Sequence, residues 1–152
     1  MRGTLDPFGA IRRRVVSRNM SYYEELLPEE CMTLLARCSV GRLAGIVEGK
    51  PFLFPVNYTL DGNAVVFRTD PGTKLAGAGF GPVAFEVDGV DETEHIGWSV
   101  IVQGMGTEIT DALDHDSEAL RGLNLKPWAQ GDKAHWVAIH AESITGRRLR
   151  PD

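Results

Sequence analysis

Two short stretches concentrate the side chains that could do chemistry. They are Pro55-Val56-Asn57-Tyr58 and Phe67-Arg68-Thr69-Asp70-Pro71-Gly72-Thr73-Lys74. Asp61-Gly62 between them is a strong hairpin signal, so the two stretches lie side by side. Gly72 lets the backbone turn where a Cβ would clash. Thr73 and Lys74 then open a short helical turn, whose free N–H groups favour an anion. Arg68 adds a planar fork and Lys74 a point charge, and Thr69 adds a hydroxyl. The chemistry this implies is phosphate binding beside a hydrogen-bonding wall. A solvated corner whose cations balance an acidic surface explains the spacing equally well. Asn57 interrupts an otherwise apolar strand face and needs a partner, either the edge of a heteroaromatic ring or nearby backbone.

Elsewhere the side chains supply little. The sequence has no GxxxxGK[ST], GxSxG or HExxH motif, and no GxGxxG between a strand and a helix. His95, His115, His135 and His140 are scattered; the last two lie five apart in one strand pattern and so face opposite sides. No metal site is expected. Ser99, beside Trp98, has no base to activate it. Trp98, Trp128 and Trp136 each suit simple packing, and together they could wall a planar ligand. No residue is assigned as catalytic. If the protein is an enzyme, a bound cofactor does the work.

The elements that must position these residues are mostly strands. Alternation and turn signals predict strands over Val40–Val47, Phe52–Leu60, Ala64–Thr69, a segment around Val83–Val87, Gly97–Thr110 and His135–Ile144. In the second of these, Phe52, Phe54, Val56, Tyr58 and Leu60 share one face. Gly104 and Gly106 inside the fifth predict a bulge or bend. Helices are expected from Leu27-Pro28 to about Cys38 and over about Asp114–Leu123. Cys31, Leu34, Leu35 and Cys38 form the buried stripe of the first helix, and its two cysteines are too far apart to bridge. The fold class is mainly β with short helices, and hairpins at this spacing favour a six-stranded antiparallel barrel over a βαβ sheet. Residues 21–152 form the single domain; residues 1–20 are expected to be a disordered tail, with Met20 an alternative start.

Length and charge narrow the function. A chain of 152 residues supports one domain with a real core. Residues 1–19 carry a net charge of +4 and the remainder −9, and an acidic body argues against general nucleic-acid binding. No apolar run approaches a membrane span and no secretory signal opens the chain. The expected home is the cytoplasm, where the cysteines stay reduced.

An ordered set of motifs carries a family resemblance. It comprises Val40-Gly41-Arg42-Leu43-Ala44, Phe54-Pro55-Val56-Asn57-Tyr58, Phe67-Arg68-Thr69, Gly72-Thr73-Lys74-Leu75, Val83–Asp88, Gly97-Trp98-Ser99-Val100 and Ile144-Thr145-Gly146-Arg147. From about Leu27 to Arg148 the chain resembles the pyridoxamine 5′-phosphate oxidase-like family of FMN-binding split barrels. The resemblance implies a split barrel, a homodimer with flavin sites at the interface, and FMN as cofactor of an oxidoreductase acting on a small molecule. It further implies that Pro55, Val56, Asn57 and Tyr58 line the isoalloxazine. Arg68, Thr69, Thr73 and Lys74 would hold the phosphate, and Trp98 and Ser99 would complete the pocket. Trp128, Trp136 and Arg147 would arrive from the partner subunit. The C-terminal substrate-binding segment of true pyridoxamine phosphate oxidases is not found here. Some relatives use a deazaflavin or bind haem, which leaves those cofactors, or a non-catalytic carrier, as alternatives.

Overall fold

Helix α1 (Pro28–Arg37) begins where Pro28 meets Glu29 and Glu30, because proline tolerates the first turn and acids favour its N-terminus. The Glu30 carboxylate accepts the Leu27 N–H at 3.0 Å. This computed structural model describes residues 22–70 and 81–150. Along it run strands β1 (Tyr22–Glu25), β2 (Val40–Val47), β3 (Lys50–Asp61), β4 (Ala64–Thr69), β5 (Gly81–Asp91), β6 (Ile96–Glu108) and β7 (His135–Arg150), with a second helix, α2 (His115–Arg121), before the last. The expected tail over residues 1–20 and the Gly72-Thr73-Lys74 corner lie outside the described residues.

All strand pairings are antiparallel. The order is β1-β7-β4-β3-β2-β5-β6, and β6 pairs again with β7, which closes β2 to β7 into a six-stranded barrel. The six expected barrel strands are all present; β1 is a seventh. Its cause is a length mismatch. The six-residue β4 pairs only with His135–His140 of β7, which leaves the far half of β7 with an open edge. Tyr22–Glu25 fill it against Arg147–Arg150. Pairing with β1 on this edge and with β6 on the other carries β7 to Arg150, beyond the expected end at Ile144.

The barrel interior is apolar, with Phe67, Phe85, Leu43, Val100, Val102 and Ile139 fully buried. Phe52, Phe54, Val56, Tyr58 and Leu60 of β3 all turn toward this core, as the period-2 pattern requires. Helix α1 packs one stripe on it: Cys31 and Leu35 are buried, and Leu34 and Cys38 pack against its edge. Both cysteines are free, and burial pushes both thiols above their usual range. Gly146 of β7 makes the helix's seat, since a Cβ there would lie 2.6 Å from the Cys31 Sγ.

The irregularity expected at Gly104 falls on the partner strand, β7, opposite it. The register with β7 shifts between Gln103 and Gly104, so that Glu142 is the extra residue of a bulge. A Cβ on Gly104 would lie 2.0 Å from the His140 carbonyl oxygen. That obstacle is backbone and cannot swing aside. Gly104→Ala is therefore expected to cost about 3 kcal/mol by overpacking, read as a lower urea midpoint at an unchanged slope.

Candidate functional site

The β3–β4 hairpin brings Asn57 beside Arg68, one residue past the Tyr58–Phe67 pair. Against the ends of these strands lies the segment joining α2 to β7. A cavity of about 710 Å³ opens between them, lined by Phe54, Pro55, Val56, Asn57, Arg68, Thr69, Asp70, Pro127, Ala129 and Lys133, and continuing along β3 to Phe52, Pro51 and Lys50. That volume suits a cofactor or small-molecule site.

Three side chains strap the joining segment down. The Asn57 Oδ1 accepts the Trp128 N–H at 2.8 Å, while its Nδ2 donates to the Ser39 carbonyl at 3.2 Å. The Arg68 Nε donates to the Lys133 carbonyl at 2.8 Å. Asp70 accepts the Lys133 N–H at 3.1 Å and forms an ion pair with its ammonium. Lys133 holds φ +44° and Gly131 φ +137°; a Cβ on Gly131 would sit 2.5 Å from the Asp70 carboxylate. Glycine is needed there for both reasons.

Behind the strap, the start of β7 is fixed in turn. His135 and Glu108 share a hydrogen bond, Thr110 donates its hydroxyl to Glu108 at 3.1 Å, and the same hydroxyl accepts the Trp136 N–H at 2.9 Å. This sets the Trp136 ring under Arg68, whose guanidinium carbon lies 5.0 Å from the ring centroid. With its plane set by Trp136 and its Nε on Lys133, Arg68 keeps its two Nη groups as donors toward a ligand.

Hydrogen bonds from Lys133 hold the Asp70 carboxyl below its usual value of 3.8. A depressed folded pKa means that the strap's gain is complete above the unfolded value and is lost as pH falls through the folded one. Limited proteolysis of residues 122–134 is therefore expected to accelerate below about pH 4. In Asp70→Asn that pH step should be absent.

The residues predicted from sequence divide into groups. Pro55, Val56, Asn57, Arg68 and Thr69 share the cavity. Asn57 takes the backbone option, holding the strap. Tyr58 needs correcting as a wall residue: its ring is buried edge-on against Phe85, with centroids 4.7 Å apart, and its hydroxyl donates to the Leu35 carbonyl. Trp128 and Trp136, expected from a partner, stand beside the cavity of their own protomer, next to its lining residues Pro127, Ala129 and Arg68, and Trp128 is 73% exposed. Trp98 is elsewhere, at a second cavity of about 710 Å³ with Gly89, Val90, Arg148, Leu149 and Arg150. Ser99 and Arg147 are register partners next to it. The two cavities share no lining residue within one protomer. Asp70 and Lys133 were not singled out. Lys133 carries no local signal, since it meets Asp70 across 63 residues.

A closed antiparallel barrel with a loop strapped over a hairpin-end cavity is the architecture of a split barrel. The family described as pyridoxamine 5′-phosphate oxidase matches residues 28–148. The chain belongs to this family. It is 33% identical over 147 residues to the uncharacterized protein Rv0080 of Mycobacterium tuberculosis, covering 92% of this chain and 94% of that one. It resembles the structure of an FAD-binding protein from Mycobacterium smegmatis, with TM-score 0.67 and 34% identity over 86% of this chain and 98% of that one. A protein of unknown function from Corynebacterium diphtheriae, DIP1874, gives TM-score 0.67 and 33% identity over 82% of this chain and 96% of that one.

Proposed function

We propose that the chain is a flavin-dependent oxidoreductase that binds a flavin nucleotide in the β3–β4 cavity and acts on a small molecule. The observation that carries this reading is one cavity pairing an apolar wall (Phe54, Pro55, Val56, Pro127, Ala129) with a preset cation, Arg68, at its end. A planar apolar ring system with an anionic tail fits that polarity. The M. smegmatis relative named as FAD-binding supports it; the sequence resemblance pointed to FMN, which carries the same ring.

A bound flavin supplies hydride or single-electron transfer. The chain's own residues bind and orient. Arg68 takes phosphate oxygens through its Nη donors, with Lys74 and Thr73 the further phosphate candidates from sequence. Pro55 and Val56 flank the ring, and Asn57, by holding the strap, keeps Pro127 and Ala129 against its other side and water out. A homodimer in the cytoplasm completes the reading: the second copy brings Trp98, Ser99 and Arg147 to the open side of the cavity. Nucleic acid and membrane have no part in it.

The test is the absorption spectrum of the purified protein with mass identification of what co-purifies. A yellow protein releasing a flavin nucleotide is expected. Colourless protein that takes up no flavin in titration would overturn the reading. The alternative left from the sequence is a non-catalytic flavin carrier. Tight flavin binding with no turnover of any reductant or acceptor would select it.

A further inference from the structure

We propose that the far half of the β3–β4 cavity, from Phe54 to Lys50, seats the second reactant, a flat apolar molecule ending in one carboxylate. This rests on the flavin reading of the same cavity and deepens it by naming the class of molecule that meets the flavin. The two halves of the lining differ. Asn57, Arg68, Thr69, Asp70 and Lys133 gather the polar groups at one end, while Val47, Pro51, Phe52 and Phe54 line the other. With its phosphate on Arg68 and its ring between the Pro55, Val56 wall and the Pro127, Ala129 wall, the flavin takes up the first end. The length of β3 from Phe54 to Lys50 is left, about 13 Å at the rise of an extended strand.

That length of wall suits a flat ring. Lys50, Phe52 and Phe54 alternate with Pro51 and Leu53, so they share one face of β3. The Phe52 and Phe54 rings stack, with centroids 5.3 Å and planes 26° apart. Both are only partly buried, which leaves aromatic surface inside the cavity. The Phe52 ring lies close on β2 because residue 45 is glycine: a Cβ there would fall 2.7 Å from the Phe52 Cζ. Among the described residues, Lys50 carries the only polar side chain of this half. What the side chains can recognise here is therefore apolar surface and one charge.

The charge is fixed at the far end by the β2–β3 turn. Glu48 and Gly49 hold φ +51° and +73°, as a two-residue hairpin turn requires, and Lys50 follows them in register with Val47. Glu48 itself is not in the lining. Among the described residues the Lys50 ammonium enters no ion pair, whereas the Lys133 ammonium at the other end is already paired with Asp70. Lys50 is exposed, so its attraction for a carboxylate is modest. Its effect is to orient the guest, carboxylate outward and ring end toward the flavin.

The experiment titrates the flavin-loaded full chain with 2-naphthoate and with its neutral analogue 2-naphthamide by calorimetry, while absorbance reports whether the flavin stays bound. Naphthoate is expected to bind about fivefold more tightly than the amide at low salt, and the gap should close at about 1 M salt. Lys50→Met should remove the preference and leave the affinity for the amide unchanged. Phe52→Leu should weaken both probes about fivefold without altering their ratio. Equal affinity for the two probes in the wild type, a preference that survives Lys50→Met, absence of binding by either probe, or release of flavin as naphthoate binds overturns the inference. Each of these leaves the flavin reading standing, because the flavin absorbance is recorded alongside. A chain that takes up no flavin overturns both.

Discussion

Arg68→Ala is expected to weaken flavin nucleotide binding about a hundredfold, while riboflavin, which lacks the phosphate, loses much less. Charge-assisted hydrogen bonds are worth about 1.5–3 kcal/mol each, and every 1.4 kcal/mol is about tenfold in affinity. Arg68 is placed to give that full value. Trp136 beneath it and the Lys133 carbonyl at its Nε hold the guanidinium still, so little side-chain freedom is lost when a phosphate arrives. Arg68→Lys should recover only part of the loss. Lysine keeps the charge but has neither the planar fork nor the Nε that reaches Lys133. Titration of the wild type and both variants with the nucleotide and with riboflavin reads the result. Equal losses for the two ligands would mean that Arg68 acts on the strap and not on the phosphate.

The largest effect on stability is expected at Phe85. Its ring is fully buried at the centre of the barrel. Tyr58 packs edge-on against one side. On another side Gly41 has no side chain because a Cβ would fall 2.1 Å from the Phe85 Cζ. The site is thus built around the ring and cannot collapse when the ring is removed. Phe85→Ala should cost about 4 kcal/mol, within the range for emptying a buried phenylalanine. In a chain of this size that lowers the melting temperature by about 10 °C. Because neither Phe85 nor Tyr58 lines the β3–β4 cavity, the flavin affinity of the folded fraction should change little. Thermal unfolding followed by circular dichroism, with flavin titration below the transition, separates the two quantities.

Much of the fold was legible from local pattern. The period-2 alternation of β3 identified its inward face, since successive strand residues must point to opposite sides. The Pro28 start and the Cys31, Leu34, Leu35, Cys38 stripe located α1. Gly104 inside a strand announced an irregularity, though the extra residue falls on β7 opposite it. Strand β1 was not legible: Tyr22–Glu25 have no pattern of their own and are a strand only because β4 leaves an edge of β7 open. Tyr58 misled because adjacency in a motif does not say which way a side chain points. The alternation that put Phe52 and Phe54 inward puts the Tyr58 phenol inward as well.

By itself the sequence determined the barrel strands, the hairpin that sets Asn57 beside Arg68, and the absence of the familiar catalytic motifs, because each depends on spacing of a few residues. Only the tertiary structure decided what those residues touch. It committed Asn57 to the backbone of Trp128, brought Lys133 to Asp70 across 63 residues, and separated Trp98, Ser99 and Arg147 from the cavity of their own chain. These are long-range contacts made by closing the barrel and strapping a loop across it, and chain closure over such distances leaves no trace in local spacing.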